Sequence, residues 1–236
     1  MIDLHSHLIP NVDDGSKSVS ETIKLIKEAE NAGFLDIILT PHYMVNAYEP
    51  QVSEILLWKE KLQELLEKEN IKVNLYAGME VYITEDIMEL IKQNKILTLA
   101  SSKYLLMELP LNTSVHYLDD VIIKLVKNNI VPIIAHPERY KFVQDSPEII
   151  EEFIESGCMI QCNYGSILGQ YGNNAKKTVK YLFKHNLVQF LGSDTHKQNT
   201  IYPTIGKAIK KITKIIGQDR MTELTDKNAK NILYHN

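Results

Sequence analysis

The chain is short of cysteine, arginine and long apolar runs, and each shortage narrows what it can be. Its 236 residues hold two cysteines, Cys158 and Cys162, too few to staple a chain of this length, so a reducing compartment is expected and no disulfide is needed. No run approaches the ~20 apolar residues that span a bilayer, and Met1-Ile2-Asp3-Leu4-His5 has neither the basic nor the apolar stretch of a leader. A cytoplasmic protein without membrane insertion is the expectation. Positive charge is not in excess either: 26 basic against 30 acidic residues give a formal charge of -4, which argues against a nucleic-acid substrate. Arginine is represented by Arg139 and Arg220 alone.

What is present is ordinary globular material, 44% hydrophobic and 24% charged, which excludes fibrous and disordered readings. Apolar runs rich in β-branched residues predict seven strands at Ile2-Leu4, Asp36-Leu39, Val73-Ala77, Tyr104-Met107, Val131-Ala135, Met159-Gln161 and Val188-Leu191. Between them, Ser20-Ala32, Ser53-Lys68, Thr84-Asn94, Tyr117-Asn128, Glu148-Ser156 and Asn174-Lys184 space apolar residues three and four apart, as amphipathic helices do. Alternation of this kind implies parallel crossover units, and seven in one domain imply a closed or nearly closed α/β barrel. No linker, tandem repeat or low-complexity stretch divides residues 1–236. Two last helical pieces, Thr204-Ile216 and Thr222-Leu233, are expected on the outside.

Histidines and carboxylates fall directly after the predicted strands. The strands run in turn into His5-Ser6-His7, Thr40-Pro41-His42, Gly78-Met79-Glu80, Glu108-Leu109-Pro110, His136-Pro137-Glu138-Arg139 and Gly192-Ser193-Asp194-Thr195-His196. The carboxyl ends of parallel strands form one rim, where active sites of barrels lie. Five of the eight histidines land there. His5 and His7 project from alternate residues toward one side and can chelate one ion, and Asp194 and His196 repeat that spacing. Imidazole and carboxylate without thiolate suit Mn, Fe, Ni or Zn better than Cu(I). One His-x-His pair is commonly a surface or core pair; six strand ends each supplying a ligand-type residue are hard to obtain by chance.

Taken together, H-x-H, D-D-G at Asp13-Asp14-Gly15, T-P-H, G-x-E, E-x-P, A-H-P-E-R and G-S-D-x-H resemble the PHP (polymerase and histidinol phosphatase) superfamily. Within it, the chain is most similar to the bacterial manganese-dependent protein-tyrosine phosphatases that accompany tyrosine kinases of capsule and exopolysaccharide synthesis. The resemblance implies a distorted seven-stranded TIM-like barrel holding three divalent ions, manganese first, with iron, cobalt or zinc as alternatives. It implies that His5, His7, Glu80 and Asp194 hold one ion, with Glu80 bridging to a second held by Glu108 and His136. Asp14, His42 and His196 would hold the third. Four carboxylates among three divalent ions leave the site with an excess of about two positive charges, suited to an aryl phosphate dianion. The implied substrate is a phosphotyrosine protein, such as the tail of a bacterial tyrosine kinase.

Hydrolysis of such an ester needs activated water, neutralised phosphoryl oxygens and an exit for the leaving group. Tyrosinate, with a pKa near 10, leaves without strong acid assistance, and Asp194 or His196 are the candidates for any proton. Arg139, three residues after His136, suits a bidentate phosphate clamp; the competing reading is an ion pair with Glu138. Related proteins can carry a further arginine beyond the last metal motif, where this chain has Lys197-Gln198-Asn199-Thr200. Positions six beyond Cys158 and Cys162 are Tyr164 and Leu168 rather than arginine, so a cysteine phosphatase loop is excluded and both thiols are packing residues.

Tyr43, Met44, Asn46 and Tyr48 follow His42 in a loop suited to stacking on a phosphotyrosine ring, though such residues also cover cores. Trp58 and Leu62 at helical spacing are packing residues. His116, His185 and His235 stand away from strand ends, Ser101, Ser102 and Ser193 lack a base, and the lysines of Lys207-Lys214 are a solvated face. Three other activities compete: a small-molecule phosphoesterase of histidinol-phosphatase type, a non-catalytic metal-binding regulator of a kinase, and an amidohydrolase. The last is disfavoured because no lysine occupies a strand end where its carboxylated bridge would stand.

Overall fold

Short strands alternate with helices along residues 1–234, the part of the chain that the computed structural model describes. In order come β1 (Ile2–Asp3), α1 (Val19–Asn31), β2 (Asp36–Leu39), β3 (His42–Tyr43), α2 (Val52–Lys68), β4 (Asn74–Ala77) and β5 (Glu80–Tyr82). There follow α3 (Ile87–Lys92), β6 (Tyr104–Glu108), α4 (Leu118–Lys127), β7 (Val131–Ala135), α5 (Lys141–Asp145), α6 (Ile149–Glu155), β8 (Met159–Asn163) and α7 (Tyr164–Leu168). The last third holds α8 (Gly172–Lys184), β9 (Phe190–Gly192), α9 (Ile205–Ile216), α10 (Gln218–Thr222), a π-turn at Glu223–Lys227 and α11 (Asn228–Leu233). The first helix begins where the sequence allows a cap: Ser18 Oγ accepts from Glu21 N–H at 3.2 Å, and the Glu21 side chain accepts from the Lys17 N–H one residue before the cap, which starts α1 just ahead of Ser20.

All strand pairs are parallel. They form one sheet ordered β1-β2-β4 and a curled sheet ordered β3-β5-β6-β7-β8-β9. Each of the seven predicted strands is there, yet the described residues carry nine strands in two sheets. The difference lies at two breaks: Pro41 has no N–H to continue the ladder between β2 and β3, and Gly78 separates β4 from β5. A Cβ on Gly78 would stand 2.9 Å from Leu99 Cδ2, so the backbone passes close to its neighbour there. Ser6 and Thr195 form a parallel bridge, and Asp194 N–H donates to His5 O at 2.9 Å. The chain after β9 thus lies beside the chain after β1.

Alternation along the strands divides the interior in two. Leu105 and Met107 of β6 and Ile134 of β7 pack outward against the helices, in the larger core. Tyr104, Leu106, Ile133 and Ala135 face inward with Ile2, Leu4, Ile38 and Phe190. The final helix was expected on the outside; instead Ala229, Ile232 and Leu233 of α11 belong to that inner cluster. Asn228 Nδ2 donates to Gln189 O at 2.8 Å, just before β9, which ties α11 to the amino-terminal ends of the strands. The predicted single piece Thr222-Leu233 is bent into α10, the π-turn and α11, which lets it reach beneath the sheet.

Candidate metal centre

The opposite, carboxyl ends of the strands carry the nine predicted ligands. β1 runs into buried His5 and His7, β3 opens on His42, β5 opens on buried Glu80, and β6 ends on Glu108. His136 follows β7, Asp194 and His196 follow β9, and exposed Asp14 comes from the loop before α1. The structure brings them together. His5 Nε2 and His7 Nε2 stand 3.1 Å apart, and Glu80 Oε2 lies 3.2 and 3.3 Å from them. His42 Nδ1 is 3.0 Å from the same oxygen, while His136 Nε2 reaches Glu80 Oε1 at 2.9 Å. Glu108 lies 3.7 Å from His42 and 3.8 Å from His136. Asp194 Oδ1 is 3.6 and 3.5 Å from His5 and His7. Asp14 Oδ1 is 3.2 Å from His196 Nε2 and 3.5 Å from His42 Nε2. Three groups with metal-ligating spacing emerge: His7, Asp14, His42 and His196; His5, His7 and Glu80; His42, Glu80 and Glu108.

The backbone is bent to make this happen. His136 has φ +34° and Asp194 φ +52°, left-handed conformations that cost an L residue on the order of 1–3 kcal/mol and that cluster at functional sites.

Hydrogen-bond logic tests whether these residues fit a cation. A carboxylate only accepts, so Asp194 Oδ2 must receive Asn163 Nδ2–H at 2.7 Å. Asn163 Oδ1 then accepts from Gln161 Nε2 at 2.8 Å, and Gln161 Oε1 accepts from His5 Nδ1 at 2.9 Å. His7 Nδ1 donates to Asp13 Oδ2 at 2.9 Å. When both rings are neutral, each therefore turns an Nε2 lone pair toward the other. Two lone pairs 3.1 Å apart repel unless a positive charge stands before them. Among the described residues, buried Glu80 Oε2 stands 3.0–3.3 Å from three imidazole nitrogens without a well-formed hydrogen bond to any of them, and buried His42 Nδ1 likewise makes none. Ligands about 2.1 Å from a common ion lie about 3.0–3.4 Å from one another, the separations seen here. The residues fit divalent ions.

Charge shifts agree. Burial alone would disfavour the His5 imidazolium, but Glu80 and Asp194 outweigh it and lift His5 to about 9. Burial would likewise raise Asp194, but His5 and His7 hold it well below the usual carboxylate range. Glu108 is pushed up by burial and by the Glu80 charge. The cluster is a set of carboxylates that draws positive charge.

Several orienting residues escaped the sequence reading. Asp13 also accepts from Gly15 N–H at 2.9 Å and His42 N–H at 3.0 Å, so it fixes two ligands at once. Gln161 and Asn163 lie on β8, which is followed by no predicted ligand, and only their place near a strand end pointed to the rim. Arg139 Nη1 donates to Asp194 Oδ2 at 2.8 Å. Its expected alternative partner, Glu138, is fully buried and instead accepts from Asn163 N–H and Ser166 Oγ–H.

The donor set floors a cavity of about 370 Å³. Asp14, His42, Glu108, His136, Arg139, Asp194 and His196 are its charged and imidazole lining, and Met44, Tyr48, Tyr82, Leu109 and Leu111 the rest. Tyr48 lines the cavity and stacks on His42, ring centroids 5.8 Å apart. Tyr43 does not reach it. Its side chain is 3% exposed and belongs to the outer core, because its neighbour His42 takes the site-facing side of β3. Exposed His116 and His185 sit beside Tyr117 and Tyr181 and belong to none of the ligand groups, and His235 lies outside the described residues. Cys158 and Cys162 are buried packing residues. Lys197 is exposed.

A curled parallel sheet with this donor set at its carboxyl edge defines a metallohydrolase class of site. Comparison with known proteins narrows the class. The model of the capsular polysaccharide synthesis family CpsB/CapC matches residues 1–234, and the chain belongs to that family. CapC of Staphylococcus aureus is 38% identical over 199 residues, 83% of this chain and 77% of that protein. The tyrosine-protein phosphatase CpsB of Streptococcus agalactiae is 32% identical over 238 residues, 99% of this chain and 98% of that one. Among solved structures, one from the work on YwqE of Bacillus subtilis and CpsB of Streptococcus pneumoniae, metal-dependent tyrosine phosphatases, has a TM-score of 0.93 at 28% identity, covering 99% of this chain and 94% of that chain.

Proposed function

We propose that this chain is a metal-dependent protein-tyrosine phosphatase, a phosphoric monoester hydrolase acting on the phosphorylated tail of a bacterial tyrosine kinase of capsule or exopolysaccharide synthesis. The observation that carries the reading is Glu80 Oε2, buried and ringed by three imidazole nitrogens at 3.0–3.3 Å with no well-formed hydrogen bond among the described residues, in a site whose cavity is also lined by Met44, Tyr48, Tyr82, Leu109 and Leu111. Residues 1–236 count as one PHP-type domain in this reading. With β3 continuing β2 and β5 continuing β4, its two sheets count as one ring of seven strand positions, which the Ser6–Thr195 bridge supports. His5, His7, Asp14, His42, Glu80, Glu108, His136, Asp194 and His196 would hold three divalent ions, manganese by preference. Such ions supply Lewis acidity, lowering the pKa of water toward neutrality and screening phosphoryl charge.

The chain's own residues do the rest. Arg139 grips the phosphoryl oxygens from the cavity wall, and Met44, Tyr48, Tyr82 and Leu111 hold the aryl ring, which an alkyl phosphate would leave unfilled. Neither Asp194 nor His196 is assigned the proton donor. Asp194 Oδ2 already accepts two hydrogen bonds and the carboxyl is held ionised, while His196 Nδ1 donates to Asp194 O at 3.0 Å and its Nε2 faces Asp14. Tyrosinate departs as the anion.

The test is metal-stripped protein given Mn, Co, Zn or Mg with a phosphotyrosine peptide and, separately, histidinol phosphate. Manganese-dependent release of phosphate from the peptide, abolished by His136→Ala and far slower from the alkyl ester, is expected. Faster turnover of histidinol phosphate would make the chain a small-molecule phosphoesterase, and metal binding without turnover would make it a regulator.

A further inference from the structure

Arg139 is the only arginine at the rim, and a long side chain with four rotatable bonds grips nothing unless something holds it. Two contacts do. Nη1 donates to Asp194 Oδ2 at 2.8 Å, and the guanidinium carbon lies 4.7 Å from the ring centroid of Tyr171. They restrain different motions: the ion pair fixes one edge of the planar fork, and the ring fixes the tilt of its plane. No other hydrogen bond leaves this guanidinium among the described residues, so its free edge is presented to the main cavity, which Arg139 lines. Asp194 shares its charge with His5, His7 and His196, so its hold on Arg139 is divided. Among the described residues, no other cation or ring stacks on Tyr171.

Tyr171 does not line the main cavity; it borders a smaller hollow on the other side of Asp194 and His196. The fold is cut to receive it there. Gly165 in α7 has only hydrogen where a Cβ would stand 3.0 Å from Tyr171 Cε2 and 2.2 Å from Gln170 Oε1. Gln170 Nε2 in turn donates to Thr200 O at 3.2 Å, tying this turn to the loop beyond His196.

We propose that Tyr171 is a positioning residue for Arg139, a shelf in the slot left by Gly165 that sets the guanidinium plane before the phosphoryl group arrives. The proposal rests on the phosphatase reading above. A stacked cation loses little freedom on binding, and the ring's contribution passes to substrate only through Arg139.

A double-mutant cycle tests it on full-length, manganese-loaded protein, with a phosphotyrosine peptide for kinetics and orthophosphate for calorimetric binding. Tyr171→Phe keeps the face and is expected within about twofold of the parent, whereas Tyr171→Leu is expected to lose about tenfold in kcat/KM and in orthophosphate affinity alike. Metal content should be unchanged. On an Arg139→Ala background, Tyr171→Leu is expected to cost nothing further. The proposal is overturned if Leu matches the parent, if Phe falls as far as Leu, or if the Leu cost is undiminished without Arg139. Should Tyr171→Leu not fold, Tyr171→Met takes its place in the cycle. A parent that hydrolyses no phosphotyrosine sinks the phosphatase reading instead, and orthophosphate affinity still decides the role of Tyr171.

Discussion

The two mouths of the sheet are built on opposite principles. At the carboxyl edge, five imidazoles and four carboxylates crowd within a few ångströms of one another, two of them sit in left-handed backbone, and buried polar atoms of Glu80, His42 and His136 lack partners. At the amino-terminal edge, α11 presses Ala229, Ile232 and Leu233 against Ile2, Tyr104 and Phe190. One end is frustrated and the other satisfied. The strain tolerated at the rim is offset by apolar burial at the far end, so the stability of the curled sheet and the chemistry of its site reside in different residues.

Substitutions at each mouth should break the pair apart. Glu80→Gln preserves shape but removes the charge that three imidazoles surround; a loss of several kcal/mol of charge stabilisation corresponds to a fall on the order of a thousandfold in kcat/KM. Metal content measured by elemental analysis should drop with it, while circular dichroism should still report a folded chain. Retention of both metal and activity would remove Glu80 from the centre. The reverse pattern is expected from Ile232→Ala, which empties a fully buried position. Chemical denaturation should register a loss of about 2–5 kcal/mol, with metal content unchanged and kcat within about twofold of the parent. If that substitution emptied the metal site instead, the two mouths would be one cooperative unit.

How legible each mouth was in the sequence follows from the same contrast. Eight of the nine rim residues could be collected because ligand-type side chains stand just after strands, where parallel topology gathers them whatever their separation along the chain, whereas Asp14, in the loop before α1, came only from the resemblance of the D-D-G motif. Their supports could not. Asp13 is indistinguishable from Asp14 by composition, and an amide such as Gln161 or Asn163 in a strand carries no charge to flag it; only the hydrogen-bond chain to His5 reveals its use. Choosing between Tyr43 and Tyr48 required the facing of a two-residue strand, which a shift of one residue reverses. The placement of α11 was illegible for another reason: an amphipathic pattern says that a face is buried, not which surface covers it. The outer helices were easier, since short connections leave each one little choice but to pack beside its own strands.

The smallest effect is expected from the cysteines, which lie between the two mouths on and beside β8. Burial pushes the Cys158 thiol up to about 12 from its ordinary value of 9.0, and burial with the neighbouring Glu138 charge raises Cys162 as well. At pH 8 the folded chain therefore holds only about one Cys158 thiolate in ten thousand, and iodoacetamide should leave both sulfurs and the activity intact while modifying both in urea. A raised acid favours the folded state least where its unfolded counterpart ionises: as pH climbs above 9, unfolded chains release protons that folded ones retain, so stability should decline from there upward. Cys158→Ser should show a shallower decline over that range. Rapid alkylation of native protein at pH 8 with loss of turnover would instead expose a reactive thiol near the rim, and the separation between a polar working end and an inert apolar body would have to be drawn elsewhere.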